Sequence, residues 1–190
     1  MTVSTFEQQI RAAQETFGRL LAHGPVLEEA SRAIVTALRA GGKVLACGNG
    51  GSAAEAQHLV TELVGRYLSN RRSLPALFLG GDGGMMSCIG NDFSFDDVFA
   101  RPLSSLGAPG DVLICFTTSG NPQNVLRALE LAREKAIASL ALLGKDGGRA
   151  RGVATWEVIV DSRDTARIQE AHQLILHWLC DRIEEAFPPA

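Results

Sequence analysis

Short apolar runs alternate with amphipathic stretches along most of the chain. The runs occupy residues 44–47, 76–79, 112–116, 138–143 and 158–160, and they are continuous rather than in/out alternating. Continuous runs of this length suit strands buried on both faces of a parallel sheet. Between them, 52–68, about 95–106 and 122–135 read as helices, and a long final helix spans 165–186. Two more helices precede the first strand, at 3–22 and 25–40. Ile10, Phe17, Leu20 and Leu21 form the apolar stripe of one, and Leu27, Ala30, Ile34 and Leu38 that of the other. His23-Gly24-Pro25 separates them, and Gly41-Gly42 ends the second. Strand–helix alternation predicts a doubly wound α/β sandwich: three αβα layers around a five-stranded parallel sheet, preceded by N-terminal helices. With no repeat, low-complexity tract or linker, 1–190 reads as one domain, with 1–40 helical and 41–190 carrying the sandwich.

Composition narrows the class. At 190 residues, with 46% hydrophobic and 21% charged positions, the chain has a globular profile and enough length to bury a core. Its 18 basic and 21 acidic residues leave a net charge of −3 without a basic block, which argues against nucleic acid as a partner. No apolar run is long enough to span a bilayer, and the N-terminus lacks the pattern of a secretory signal. Cys47, Cys88, Cys115 and Cys180 are widely spaced, each in an apolar stretch, and read as buried free thiols in a reducing compartment. A cytoplasmic protein is expected.

Two strand-to-helix turns carry candidate chemistry, because ligands of open parallel sheets sit beyond the carboxyl ends of the strands. The first is Gly48-Asn49-Gly50-Gly51-Ser52. Its glycines let the backbone approach a ligand closely, and a helix starting at Ser52 would aim amides at an anion. The plainer reading is a tight turn with Ser52 as N-cap. Gly48, Gly50 and Ala53 also fit the G-x-G-x-x-A dinucleotide pattern, yet the acidic residue expected about 20 positions later is missing. The second turn is Thr117-Thr118-Ser119-Gly120-Asn121-Pro122. One hydroxyl suffices to cap a helix; three followed by Gly favour a phosphate site, with Pro122 suited to the first helical position.

His58 and Glu62 stand four apart on the 52–68 helix and share a face. They form a good chelating pair by geometry, but for an isolated H-x-x-x-E a helix-surface hydrogen bond is the commoner reason for the spacing, and a Glu62–Arg66 ion pair is another ordinary reading. Gln169, Glu170, His172 and His177 lie on the last helix. Gln169 and His177 are about 12 Å apart along its axis, too far for comfortable ligation of one metal from a single helix. If both serve one kind of site, different subunits supply them more easily.

Six motifs in order resemble the phosphoheptose isomerases of the sugar isomerase (SIS) fold. They are Gly48-Asn49-Gly50-Gly51-Ser52; Gln57-His58 through Glu62 to Gly65-Arg66-Tyr67; Gly90-Asn91-Asp92-Phe93; Thr118-Ser119-Gly120-Asn121; Gly144-Lys145-Asp146-Gly147-Gly148; and Arg167-Ile168-Gln169-Glu170 with His172. The resemblance spans roughly 3–187. It implies conversion of sedoheptulose 7-phosphate to D-glycero-D-manno-heptose 7-phosphate, within heptose synthesis for lipopolysaccharide or related glycoconjugates. It further implies a homotetramer with one Zn2+ per subunit and sites shared between subunits. The implied metal ligands are His58, Glu62, Gln169 and His177, with Glu62 and His177 also the acid/base pair. The implied substrate contacts are Asn49, Gly50, Gly51, Ser52, Glu62, Asn91, Asp92, Thr117, Thr118, Ser119 and Gln169. Pro122 replaces the family's usual Ser, and the loop 80–84 is richer in Gly than its counterparts. A rival reading is a non-enzymatic SIS-fold adaptor that binds the bacterial replication initiator; the presence of both Glu62 and His177 favours the enzyme.

Overall fold

The computed structural model describes residues 4–189. Helices α1 (Phe6–Leu20) and α2 (Gly24–Arg39) are joined by one 3-10 turn at Leu21–His23. Pro25 sits in the first turn of α2, where a missing N–H costs nothing, so His23-Gly24-Pro25 bends the chain without a long break. The alternating part follows as β1 (Val44–Gly48), α3 (Gly51–Val64), β2 (Ala76–Phe78), α4 (Gly83–Asp92), α5 (Ala100–Leu106), β3 (Val112–Thr117), α6 (Gln123–Glu134), β4 (Ala138–Gly144), β5 (Trp156–Val160) and α7 (Thr165–Ala186).

All five strands are parallel, in the order β2-β1-β3-β4-β5. Side chains along each strand alternate between two apolar layers. Val44, Ala46, Val112, Ile114, Leu140 and Leu142 face α2, α3 and α7, while Leu45, Cys47, Leu113, Cys115, Ala141 and Leu143 face α4, α5 and α6. That two-sided covering explains why these strands read as continuous apolar runs. α1 lies outside, with Phe17 and Leu20 against Val160, Ile168 and Ala171. The expected three-layer αβα sandwich around a five-stranded parallel sheet is therefore present.

The differences from expectation have local causes. β2 is an edge strand with Leu77 40% exposed, and β5 at the other edge is only partly buried. α4 starts inside the stretch 80–84 that reads as a glycine-rich loop, because Asp82 accepts a hydrogen bond from the Met85 amide at 2.8 Å and caps it. Cys88 lies on this helix and is exposed, whereas Cys47, Cys115 and Cys180 are buried as expected. The stretch 95–106 splits into a 3-10 turn at Phe95–Asp97 and the shorter α5. α3 stops at Val64 because Gly65 leaves helical geometry, which takes Arg66 off the Glu62 face. Pro122 is the N-cap of α6 rather than its first helical residue.

A buried carboxylate ties the starts of β1 and β3 together. Asp111 accepts from the Lys43 amide (2.9 Å), Lys43 Nζ (2.7 Å) and the Ala108 amide (2.8 Å). Burial by itself raises its pKa; these hydrogen bonds and the Lys43 charge outweigh that and hold it below the ordinary carboxylate value.

Gly120 has φ +65°, and a Cβ there would lie 1.8 Å from the Gly147 carbonyl oxygen. Gly120→Ala should therefore cost at least about 2 kcal/mol and lower Tm by roughly 4 °C or more. Gly18, on an exposed turn of α1 with nothing within 4 Å of a built Cβ, provides the contrast. Gly18→Ala should raise stability by about 0.5–1 kcal/mol. Thermal melts of the two variants beside the parent check both signs.

Candidate active site

In the sheet order, β2 and β3 flank β1 on opposite sides, so the chain reverses its direction of travel between β1 and β3. Such a switch point opens a crevice at the carboxyl ends of the two strands. Gly48 stands level with Phe116, so the turns following β1 and β3 lie side by side. Two carboxamides join them reciprocally: Asn49 Nδ2 donates to Asn124 Oδ1 (2.9 Å), and Asn124 Nδ2 donates to Asn49 Oδ1 (3.0 Å). The Asn49 side chain, expected to face substrate, is thus engaged in tying one turn to the other. Asn124 is almost fully buried and was not legible as a site residue.

Gly50, at φ +57°, is the N-cap of α3, and the Ser52 and Ala53 amides turn back to the Asn49 and Gly50 carbonyls. Ser52 is buried in the first helical turn rather than capping it. Gly51 accommodates α7: a Cβ would meet Gln169 Nε2 at 2.1 Å, so the Gln169 side chain lies on the turn's backbone. In the second turn, Thr117 is buried and its hydroxyl accepts from the Gly120 amide (3.2 Å), while Ser119 Oγ accepts from the Asn121 amide (3.3 Å). Thr118 and Ser119 are half-exposed. The Gly144-Lys145-Asp146-Gly147-Gly148 segment braces this turn. The following Ala150 amide bonds to the Gly120 carbonyl, and the Arg149 amide to Asn121 Oδ1.

Further along α3 and α7, four polar side chains gather. His58 Nε2 lies 2.8 Å from Glu62 Oε1, which makes the expected i,i+4 pair real. Gln173 Nε2 reaches His58 Nδ1 at 2.8 Å and His177 Nε2 at 3.1 Å. The two imidazoles meet edge-on, with centroids 5.1 Å apart, and Tyr67 stacks on His177 at 5.9 Å. Burial, followed by the nearby acidic groups led by Asp181, raises the Tyr67 phenol pKa and keeps it protonated. Gln173, like Asn124, is a residue that sequence reasoning missed, although its place midway between Gln169 and His177, one turn from each, puts all three on one face.

Between the glycine turn and this cluster is a shallow cleft of about 360 Å³ lined by Gly51, Glu55, Gln169, Glu170 and Gln173. Glu55 is buried, and neither carboxylate oxygen has a hydrogen-bond partner. His172 Nδ1 stands 3.8 Å from it, while its Nε2 contacts the Leu143 carbonyl at 3.2 Å. Asn91 and Asp92 lie exposed at the end of α4, hydrogen-bonded to each other.

Imidazole and carboxylate donors of the kind gathered at His58, Glu62 and His177 suit zinc. Gln169 stays at the glycine turn, about 12 Å along α7 from His177. Among the described residues, no three His, Cys, Asp or Glu side chains converge into a metal site. The donor chemistry fits zinc, and the four expected ligands do not meet within one chain.

Fold and crevice together define a class, and comparison with known proteins agrees. The SIS domain family matches residues 5–144. A phosphoheptose isomerase from Geobacter sp. (strain M21) is 50% identical over 177 residues, covering 93% of this chain and 92% of the relative. The structure of a phosphoheptose isomerase from Neisseria gonorrhoeae superposes with TM-score 0.85 at 39% identity, over 95% of both chains. One from Francisella tularensis gives 0.86 at 38% identity, over 95% of this chain and 94% of the other. The chain is an SIS-domain protein and belongs to the phosphoheptose isomerase family. It is an enzyme, a sugar-phosphate isomerase, and the adaptor reading gives way to that. None of the described helices is long and apolar enough to cross a membrane.

Arg71 holds the C-terminal end of α3 in place. Its buried guanidinium donates to the Glu62 (2.7 Å) and Leu63 (2.9 Å) carbonyls, and its Nε faces Glu184 Oε1 at 3.6 Å. Glu184 in turn accepts from the Leu68 and Ser69 amides. Arg71→Met leaves Glu184 buried without a counter-charge and should cost about 3–5 kcal/mol. Thermal melting should show a Tm lower by roughly 6–20 °C.

Proposed function

We propose that the chain interconverts sedoheptulose 7-phosphate and D-glycero-D-manno-heptose 7-phosphate. The observation that carries this reading is the junction of α3 and α7, where Glu62 and His177 are linked through His58 and Gln173. An aldose–ketose isomerase moves a proton between C1 and C2 through an enediolate and adjusts protons on O1 and O2. Glu62 takes the carbon-bound proton from one carbon and returns it to the other. His177 exchanges protons at oxygen. The half-exposed Thr118 and Ser119 hydroxyls at the β3 turn receive the phosphate, with Gln169 and the glycine turn beside the sugar. Gln169 and His177 belong to one kind of site but stand too far apart on α7 to serve the same copy. Sites shared between subunits of a homotetramer resolve this.

His58, Glu62, Gln169 and His177, drawn from more than one subunit, would hold one Zn2+ per subunit. When bound, the metal supplies Lewis-acid stabilisation of the enediolate oxygens. The relatives' name supports a phosphorylated heptose as substrate. A cytoplasmic place in heptose synthesis for lipopolysaccharide or related glycoconjugates is part of the same proposal.

Incubation with sedoheptulose 7-phosphate, followed by NMR, should show the aldose phosphate accumulating. Glu62→Gln keeps shape and hydrogen bonding but removes the base, so kcat should fall at least ~10²-fold. Near-normal turnover in that variant would place the base elsewhere.

Mixing two inactive variants tests the shared site. After subunit exchange, Gln169→Ala and His177→Ala chains should recover part of the activity, because some hybrid sites receive both intact groups. No recovery after verified exchange would show that both residues act from one chain.

A further inference from the structure

Tyr67 reaches the one part of the His177 ring that a proton transfer or a metal would leave untouched. An imidazole uses its lone pair and its proton in the plane of the ring, at the nitrogens. Its flat face is free for packing, and Tyr67 packs on it with centroids 5.9 Å apart and planes 24° from parallel. That is the geometry of an offset stack. The segment that presents Tyr67 is anchored on both sides. Before it, the Gly65 amide bonds to the Thr61 carbonyl at 2.8 Å. After it, the Leu68 and Ser69 amides donate to Glu184 Oε2 at 3.0 and 3.1 Å. Arg71 then closes the segment onto the Glu62 and Leu63 carbonyls. Glu184 stands seven residues beyond His177 on α7, two turns on and within about 20° in azimuth. One face of α7 thus carries both the ring and the carboxylate that holds its stacking partner.

We propose that Tyr67 is a positioning residue of the isomerase site, its ring setting the plane of the His177 imidazole while occupying neither nitrogen. This rests on the reading of His177 as an acid/base residue. The last torsion of a histidine side chain has a broad profile, and turning about it swings both nitrogens off line. A stacked ring removes that freedom. His58 meets the same imidazole at 80°, with centroids 5.1 Å apart, so rotation is opposed from a second direction. Alignment counts, because misplacing a reacting group by about 1 Å can cost about 10²-fold in rate. Tyr67 is the single tyrosine of the chain, half-buried and packed against the apolar layer between the sheet and α2, α3 and α7. Its ring, not its hydroxyl, makes the stack.

Tyr67→Phe keeps the aromatic face, and Tyr67→Leu keeps apolar bulk without it. Selective 13C labelling of the four histidines in the full-length protein reads ring mobility by relaxation, after chelation so that no metal holds the ring. The His177 ring should be as rigid in Tyr67→Phe as in the parent, and distinctly mobile in Tyr67→Leu. With Zn2+ restored and rates taken per folded chain, Tyr67→Leu should lose about 10- to 100-fold in kcat. Its KM should stay within about threefold of the parent, because the substrate contacts are untouched. Tyr67→Phe should stay within about threefold in both constants. A His177 ring equally rigid in all three proteins would overturn the proposal. So would a loss of kcat in Tyr67→Phe matching that in Tyr67→Leu, which would assign the effect to the hydroxyl. A ring loosened in Tyr67→Leu with kcat unchanged would overturn the acid/base reading of His177, and the proposal with it. An unchanged ring leaves that reading standing, so the two failures are told apart.

Discussion

The parallel pairing of β1 with β3, Gly48 level with Phe116, is the contact on which the rest of the site depends. It brings two turns 69 residues apart in sequence, at Gly48 and Thr117, to the same end of the sheet. Each turn then needs backbone geometry that few residues tolerate. Gly50 and Gly120 take positive φ, Gly51 yields space to Gln169, and Gly120 yields space to Gly147. The glycines serve close approach between chain segments as much as approach to a ligand. Asn49 and Asn124 complete the join with a reciprocal amide pair, so a buried polar contact is satisfied on both sides.

α7 acts as the ruler of the site. Its apolar residues Ile168, Ile175, Leu176 and Leu179 are buried against the sheet and neighbouring helices, which fixes its rotation. Fixed rotation places Gln169, Gln173 and His177 in a row, the first at the glycine turn and the last beside His58. Removing one residue from that helix would turn everything beyond it by about 100° and break the row. Shape and chemistry are thus coupled through the packing of a single helix.

Behind the candidate site stand buried charges held in place by several partners each. Asp111 collects three hydrogen bonds at the base of β1 and β3. Arg71 and Glu184 clamp the segment after α3, which carries Tyr67 to the face of His177. Removing either partner of such a pair is costly, because it leaves the other charge uncompensated in the interior. Glu55 stands apart, buried beside the cleft with both oxygens unpartnered.

The periodicity of apolar residues was enough to place the five parallel strands, the two leading helices and α7, whose span of 165–186 was read to the residue. It carried this because the sheet is covered on both faces, and two-sided burial writes itself into a strand as a continuous apolar run. The i,i+4 spacing of His58 and Glu62 was equally legible, since neighbours on a helix face meet wherever the helix lies. The helix α4 was hidden because glycine is a poor helix former and a cap at Asp82 overrode that weakness. Gln173 and Asn124 were hidden for a different reason: a carboxamide has no spacing signature, and its role depends on which group a distant segment brings to it. Only the tertiary structure decided that Asn49 faces Asn124, that Gln169 lies on Gly51, and that Gln173 stands between two imidazoles. Those partners come from segments 75 to 118 residues apart, and strand order and helix packing, not local propensity, bring them within hydrogen-bonding distance.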